Sequence, residues 1–176
     1  MLEFIHTFDG TLLYFIQNNM RSDIMDLLMP YISYAGSGGF IWIVTALILI
    51  CLKKYRTVGI TVIVALLLCL LIGNTILKPL VARPRPYDVY NMAILIPQLT
   101  DYSFPSGHTT SSFAAATVIF CRYRLLGCLA LILGSAIAFS RLYLFVHYPT
   151  DIVGGIVIGT AIGLTATFFA VRLSSK

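Results

Sequence analysis

Nearly all the unusual polar residues of this chain fall in three short segments: Lys78–Pro86 (KPLVARPRP), Phe104–His108 (FPSGH) and Ser140–Asp151 (SRLYLFVHYPTD). They contain two of the three histidines, His108 and His147. Pro105-Ser106-Gly107 at a helix start would point unpaired backbone N–H groups and the positive end of the helix dipole outward, which makes a cradle for an anion. Ser106 can add a hydroxyl to that cradle, Gly107 lets the backbone come close, and His108 presents an imidazole to the same ligand. In the third segment Asp151 follows His147 in the first turn of a helix that Pro149 helps to start. A carboxylate near a histidine can accept from one ring nitrogen, fix the tautomer and leave the other nitrogen as nucleophile or base. Arg141, close to apolar sequence, needs an anionic partner or a watery cavity. In the first segment Lys78 and Arg85 can clamp phosphate oxygens, Lys as a point charge and Arg as a bidentate fork. Arg83 is left to lipid headgroups, reached by snorkelling.

Each segment taken singly has an ordinary structural explanation: an N-cap serine, an interfacial histidine, an aspartate favouring a helix dipole, or basic residues at a membrane surface. Taken together at helix ends, they form one apparatus at one face.

The elements that must position this apparatus are membrane helices. Of 176 residues, 59% are hydrophobic and only 11% charged, and the mean hydropathy is +0.91. Soluble domains are far more charged, at roughly 25%. Charge-free intervals run over Leu27–Leu52, Thr57–Leu77, Tyr102–Cys121, Leu125–Ser140 and Ile152–Val171, most of them near the ~20 residues a spanning helix needs. The reading is an all-α integral membrane bundle of about six transmembrane helices over residues 21–176. It is preceded by an amphipathic interfacial helix over residues 1–20, with Phe4, Ile5, Phe8, Leu12, Phe15 and Ile16 at three- and four-residue spacing. Gly36-Ser37-Gly38-Gly39 is expected to turn Ser22–Ala35 and Phe40–Leu52 into a hairpin, with one long tilted span as the alternative. Further helices are expected near Thr57–Leu80, Gly107–Arg122, Leu125–Phe145 and Thr150–Leu173, and the proline-rich loop Val81–Pro105 is expected to be extended and solvent-facing. Alternating these six spans collects Arg21, Lys53, Lys54, Arg56, Arg122, Arg124, Arg172 and Lys176 on one side, which the positive-inside rule makes cytoplasmic along with both termini. The segments with chemistry then face the extracytoplasmic side. No cleavable signal is expected, since Glu3, His6 and Asp9 interrupt the region where one would lie.

The same composition excludes other classes. No soluble domain has room outside the apolar segments, and the formal charge of +5 is the usual flank of membrane helices, so no nucleic-acid partner is expected. Cys51, Cys69, Cys121 and Cys128 show no metal-ligand spacing and are expected as free thiols.

In order, the motifs K-x6-R-P, P-S-G-H and S-R-x5-H-x3-D resemble the type 2 phosphatidic acid phosphatase superfamily. Every part is present: Lys78 with Arg85-Pro86, Pro105-Ser106-Gly107-His108, and Ser140-Arg141 with His147 and Asp151. The resemblance implies a phosphatase needing neither metal nor other cofactor. In it His147 attacks phosphorus to form a phosphohistidine, Asp151 orients that imidazole and His108 protonates the leaving oxygen. Lys78, Arg85, Ser106, Gly107 and Arg141 would bind the phosphoryl oxygens. A site at the membrane face suits a lipid phosphate or diphosphate, with undecaprenyl diphosphate the best match by analogy. The alternatives are a phosphatidylglycerophosphate or phosphatidic acid phosphatase, a lipid phosphotransferase using the same histidine, and a non-enzymatic lipid transporter. The last leaves His108, His147 and Asp151 without a purpose. Membrane lipids are the expected surroundings; the sequence is silent on oligomeric state.

Overall fold

The computed structural model describes the backbone of residues 2–174 and the side chains of residues 7–173. The side chains of Glu3, Phe4, Ile5 and His6, and Lys176 as a whole, lie outside the described residues. Among those described the chain is helical with no strand: α1 (Leu2–Asn19), α2 (Asp23–Gly36), α3 (Phe40–Cys51), α4 (Arg56–Cys69), α5 (Lys78–Val81), α6 (Pro86–Val89), α7 (Gly107–Arg122), α8 (Arg124–Tyr143) and α9 (Pro149–Ser174). Between α4 and α5 the helix widens into π-helix over Leu70–Leu77. Four stretches are long and apolar enough to cross a membrane: Asp23–Cys51, Arg56–Val89, Arg124–Tyr143 and Pro149–Leu173.

Helix α7 is only 16 residues long and stands in the middle of the bundle, with buried residues on almost every side from Thr109 to Ile119. It can sit there because its neighbours are small. Ala114 and Thr117 of α7 face Gly159 and Gly163 of α9, and a methyl group added at Gly159 would come within 2.3 Å of the Thr110 carbonyl oxygen. Small residues that let backbones approach are how helices gain dispersion contact in lipid, where no hydrophobic force pulls them together. Trp42 of α3 joins the same core and donates its indole N–H to Ser112 at 2.9 Å. These contacts hold the N-terminus of α7 at a fixed level in the bundle.

The expected hairpin over residues 22–52 is replaced by one broken span. Gly38 and Gly39 adopt φ of 59° and 73°, a region only glycine enters freely, and so interrupt the helix without reversing it. Helix α2 begins beside the C-terminal end of α8, where Asp26 accepts from the Tyr143 hydroxyl at 2.5 Å, and descends until Gly36 meets Ile137. Helix α3 continues downward along α4 to the end where the Tyr123 hydroxyl donates to the Lys54 carbonyl at 3.4 Å. The bundle therefore has five helical columns in place of six.

This correction moves α1. Gln17 donates to the Tyr143 carbonyl at 2.8 Å, and Arg21 pairs with Asp26 at 2.7 Å, so α1 and Arg21 lie at the end of the bundle that holds His147. The described chain thus starts and finishes at opposite ends, where six alternating spans would have put both at one. Phe8 and Phe15 of α1 are exposed as an apolar surface helix requires, yet Asp9, Leu13 and Ile16 are buried on its other face. The loop after α5 also departs from expectation: Arg85, Tyr87, Ile96 and Ser103 are buried, because this segment folds over the bundle instead of extending into solvent.

One span in place of a hairpin has a direct consequence. In a chain whose native cysteines are replaced by alanine, single cysteines at Asn19 and Asn91 are expected to react with an impermeant thiol reagent from the same side of the membrane, and one at Lys54 from the other. Labelling of the Asn19 and Lys54 variants from one side would restore the hairpin.

Candidate active site

The three polar segments converge on one cavity of about 240 Å³ at the end of the bundle where α7 and α9 begin and α8 ends. Lys78, Arg85, Gly107, His108, Arg141 and His147 all line it, six of the eight residues singled out by the motifs.

His147 lies in the turn between α8 and α9 and is buried. Its Nδ1 is 3.4 Å from Asp151 Oδ2, and its Nε2 is 3.3 Å from a guanidinium nitrogen of Arg85. A guanidinium can only donate, so Nε2 is the accepting nitrogen and Nδ1 carries the hydrogen directed at Asp151. Burial pushes the His147 imidazole well below its ordinary value; Asp151 opposes this, while Arg85 and Arg141 reinforce it. The ring is neutral at neutral pH, with a lone pair on the nitrogen beside the cations.

Asp151 does not touch the cavity. It sits fully buried one helical turn beyond His147, where its Oδ2 also accepts from the Tyr148 backbone N–H at 2.9 Å and from the Ser103 hydroxyl. Its Oδ1 accepts from Arg83 at 2.6 Å. The expectation that Arg83 serves lipid headgroups is therefore corrected: its side chain is 15% exposed and reaches inward between Asp151 and Asp9. The X-Pro geometry of this stretch is the reason. Pro84 and Pro86 keep the backbone extended on both sides of Arg85, so Arg83 and Arg85 point into the protein from a stiff strap.

Arg85 donates to the Val146 carbonyl at 2.7 Å and to Asp101 Oδ1 at 2.6 Å. Lys78, buried at the end of the π-helical stretch, pairs with the other oxygen of Asp101. Burial disfavours the Asp101 carboxylate, but Lys78 and Arg85 outweigh it and hold the carboxyl down at about 2. Arg141 is different. It is 2% exposed, its one bond is to Ser33, and its Nε and second terminal nitrogen find no partner among the described residues. A buried guanidinium with unpaired donors facing a cavity calls for an acceptor, because such donors are costly to leave unmet.

Helix α7 enters the same cavity at Gly107, and His108 projects from its first turn with Nε2 3.3 Å from the Ser37 hydroxyl at the α2–α3 break. Ser106 does not line the cavity. It is fully buried, its hydroxyl oxygen caps α7 by accepting from Thr109, and its backbone N–H donates to the Asp151 carbonyl at 3.3 Å. The sequence reading missed Asp101, Ser103, Ser33 and Asp9, which pair with the motif cations or with Asp151. Only Asp101 and Ser103 carried any signal, as polar residues just ahead of the PSGH segment.

The fold gathers two imidazoles and three cations around one cavity at an end of a membrane bundle. Residues 57–174 match the PAP2 superfamily model, and the chain belongs to that superfamily. It is 34% identical over 151 residues to an undecaprenyl-diphosphatase of Sulfolobus acidocaldarius, covering 84% of this chain and 70% of the relative. It is 30% identical over 191 residues to a lipid A 4'-phosphatase of Bacteroides thetaiotaomicron, covering all of this chain and 83% of that one. In fold it is similar to the crystal structure of a transmembrane PAP2-type phosphatidylglycerolphosphate phosphatase from Bacillus subtilis, with a TM-score of 0.79 at 20% identity over 96% of this chain and 87% of that one. The chain is a multi-pass membrane lipid phosphatase.

Inorganic phosphate is expected to bind this cavity and raise thermal stability in detergent. Arg141→Gln should weaken that binding about ten- to hundredfold, the loss of one to two charge-assisted hydrogen bonds. An unchanged phosphate affinity in that variant would remove Arg141 from the anion site.

Proposed function

We propose that this chain hydrolyses a lipid diphosphate, undecaprenyl diphosphate first among candidates, to the lipid monophosphate and orthophosphate on the extracytoplasmic side. The observation that carries the reading is the pairing, on one cavity, of the accepting Nε2 of His147 with the unpaired donors of Arg141. A nucleophilic nitrogen and a pre-set oxyanion clamp are what phosphoryl transfer needs, since its catalysis is mostly positioning and charge stabilisation.

In the first step the Nε2 lone pair of His147 forms an N–P bond to the terminal phosphorus as the bond from that phosphorus to the bridging oxygen of the lipid diphosphate breaks. The leaving oxygen keeps that electron pair and takes a proton from His108. Asp151 supports the positive charge that appears on the imidazole. In the second step water attacks phosphorus and gives its proton back to His108. The N–P electrons return to Nε2 and orthophosphate leaves. Lys78, Arg85, Arg141 and the N-terminal turn of α7 at Gly107 hold the phosphoryl oxygens; Ser106 serves this cradle as the cap of α7.

A lipid substrate is supported by the apolar part of the cavity lining, Leu66 of α4, Leu70 at the start of the π-helical stretch, and Gly38 and Gly39 at the α2–α3 break. The Sulfolobus relative supports the diphosphate, and the Bacteroides relative supports a phosphate monoester as the second reading. The extracytoplasmic placement is supported by Lys53, Lys54, Arg56, Arg122, Arg124 and Arg172, all at the end away from the cavity.

Purified chain presented with undecaprenyl diphosphate, phosphatidylglycerophosphate, phosphatidic acid and lipid A is expected to release phosphate fastest from the first; a faster monoester would reverse the order. His147→Ala should abolish release while the protein stays folded, and wild-type release by that variant would remove the mechanism.

The acid limb of kcat/KM is expected below pH ~6.5, the ordinary imidazole value. Protonating His147 destroys the nucleophile, and burial delays that protonation to lower pH. An acid limb above that value would belong to another group.

A further inference from the structure

The buried carboxylate of Asp9, on a helix outside the three motifs, has no part in the phosphatase mechanism, yet it is tied to the centre of the site. Its Oδ2 accepts from Arg83 at 2.6 Å and from the Thr150 hydroxyl at 2.6 Å, and its Oδ1 accepts from the Thr150 backbone N–H at 3.0 Å. Arg83 in turn donates to Asp151 and to the Thr150 hydroxyl, and its guanidinium lies 3.8 Å from the centre of the Tyr148 ring. Asp9 and Asp151 are both fully buried, and Arg83 between them is partly buried. The result is a closed row of three charges, Asp9, Arg83 and Asp151, ending on Nδ1 of His147.

The signs along this row decide what it does. An Arg83–Asp151 pair alone would be neutral, and the guanidinium would hold much of the carboxylate charge that the imidazole needs when it becomes cationic. With Asp9 on the far side of Arg83, the group carries one net negative charge, and it lies next to His147. We propose that Asp9 and Arg83 are positioning residues for the phosphoryl-transfer reading given above: Arg83 fixes the angle of the Asp151 carboxylate, and Asp9 offsets the Arg83 charge so that Asp151 keeps its hold on the His147 Nδ1–H. Helix α1 thereby belongs to the catalytic apparatus and is not only a surface anchor. Neither residue lines the cavity, so their effect falls on kcat and not on substrate binding.

The test compares Asp9→Asn, Arg83→Gln, the double variant and Thr150→Val in the full chain in detergent, with the lipid diphosphate as substrate. Asp9→Asn keeps the shape and removes the charge. It should lower kcat about tenfold with KM unchanged, the low end of the loss seen when an outer partner that orients a metal-bound imidazole is removed. It should also move the acid limb to lower pH, because an imidazole with weaker anionic support is harder to protonate. The charged and titratable groups facing His147 are Asp151 from α9, Arg85 from the strap, Arg141 from α8 and His108 from α7; all remain in each variant. Arg83→Gln leaves two buried carboxylates facing each other. The double variant removes that conflict and should be faster than Arg83→Gln alone; this comparison stands even if Asp9→Asn does not fold. Thr150→Val breaks bonds to both partners and keeps all three charges, so it should cost much less than Asp9→Asn.

The Nδ1–H proton resonance of His147 gives a readout that needs no turnover, and Asp9→Asn should shift it upfield. A wild-type chain that releases no phosphate from undecaprenyl diphosphate but does so from a monoester, with this resonance still shifting, overturns the diphosphate reading and supports the positioning role. An unmoved resonance with unchanged kcat in Asp9→Asn overturns the positioning role and leaves the phosphatase standing. Equal losses in Asp9→Asn and Thr150→Val, or additive losses in the double variant, would reduce the row to a structural tie and overturn it as well.

Discussion

Buried positive charge is the constraint around which this molecule is arranged. Lys78, Arg83, Arg85 and Arg141 all reach into one end of an apolar bundle, where an unpaired cation would cost several kcal/mol. Three are paired with carboxylates from distant parts of the chain: Lys78 and Arg85 share Asp101, and Arg83 lies between Asp9 and Asp151. The fourth, Arg141, keeps two nitrogens unpaired within the described residues. That imbalance leaves donors without acceptors, among the described residues, on the wall of the cavity.

The helices answer to this constraint. The glycine-lined seam between α7 and α9 lets the short α7 stand at the centre of the bundle, so its N-terminal turn opens into the cavity and not at the lipid surface. The same seam brings Ser106 against Asp151, whose backbone carbonyl accepts from the Ser106 N–H. The starts of α7 and α9 are thereby tied together, and the two motifs they carry, PSGH and HxxxD, keep a common register. The π-helical stretch ahead of Lys78 turns the end of the α4 column so that Lys78 and Asn74 both line the cavity.

Asp101 has a double place in this arrangement. It balances Lys78 and Arg85 from a loop position whose side chain is half exposed, so the pairing lies at the rim, where water screens part of it. Asp151 is fully buried and is held by four donors from four different residues. The rim carboxylate can give way to a phosphate oxygen far more cheaply than the buried one.

The apolar intervals, the boundaries of α7 and the three motifs were legible in the residues, because hydropathy, capping and spacing are local properties. The eight motif residues were named from their chemistry and from the resemblance of the three motifs to a known superfamily, and six of them line the cavity. What the sequence could not decide was every pairing between distant segments. Gly36-Ser37-Gly38-Gly39 permits both a hairpin and a kink, and only packing of α2 along α8 and α3 along α4 chose the kink. Arg83 reads as a headgroup anchor until the fold brings Asp9, 74 residues away, against it. Ser106 reads as a direct lining residue until the fold buries it behind the cavity wall, where its hydroxyl oxygen accepts from Thr109 and its backbone N–H donates to the Asp151 carbonyl. Composition determined that the chain lives in a membrane, and the motifs picked out the candidate site residues. Tertiary structure alone determined which charge offsets which, because that depends on distances between residues far apart along the chain.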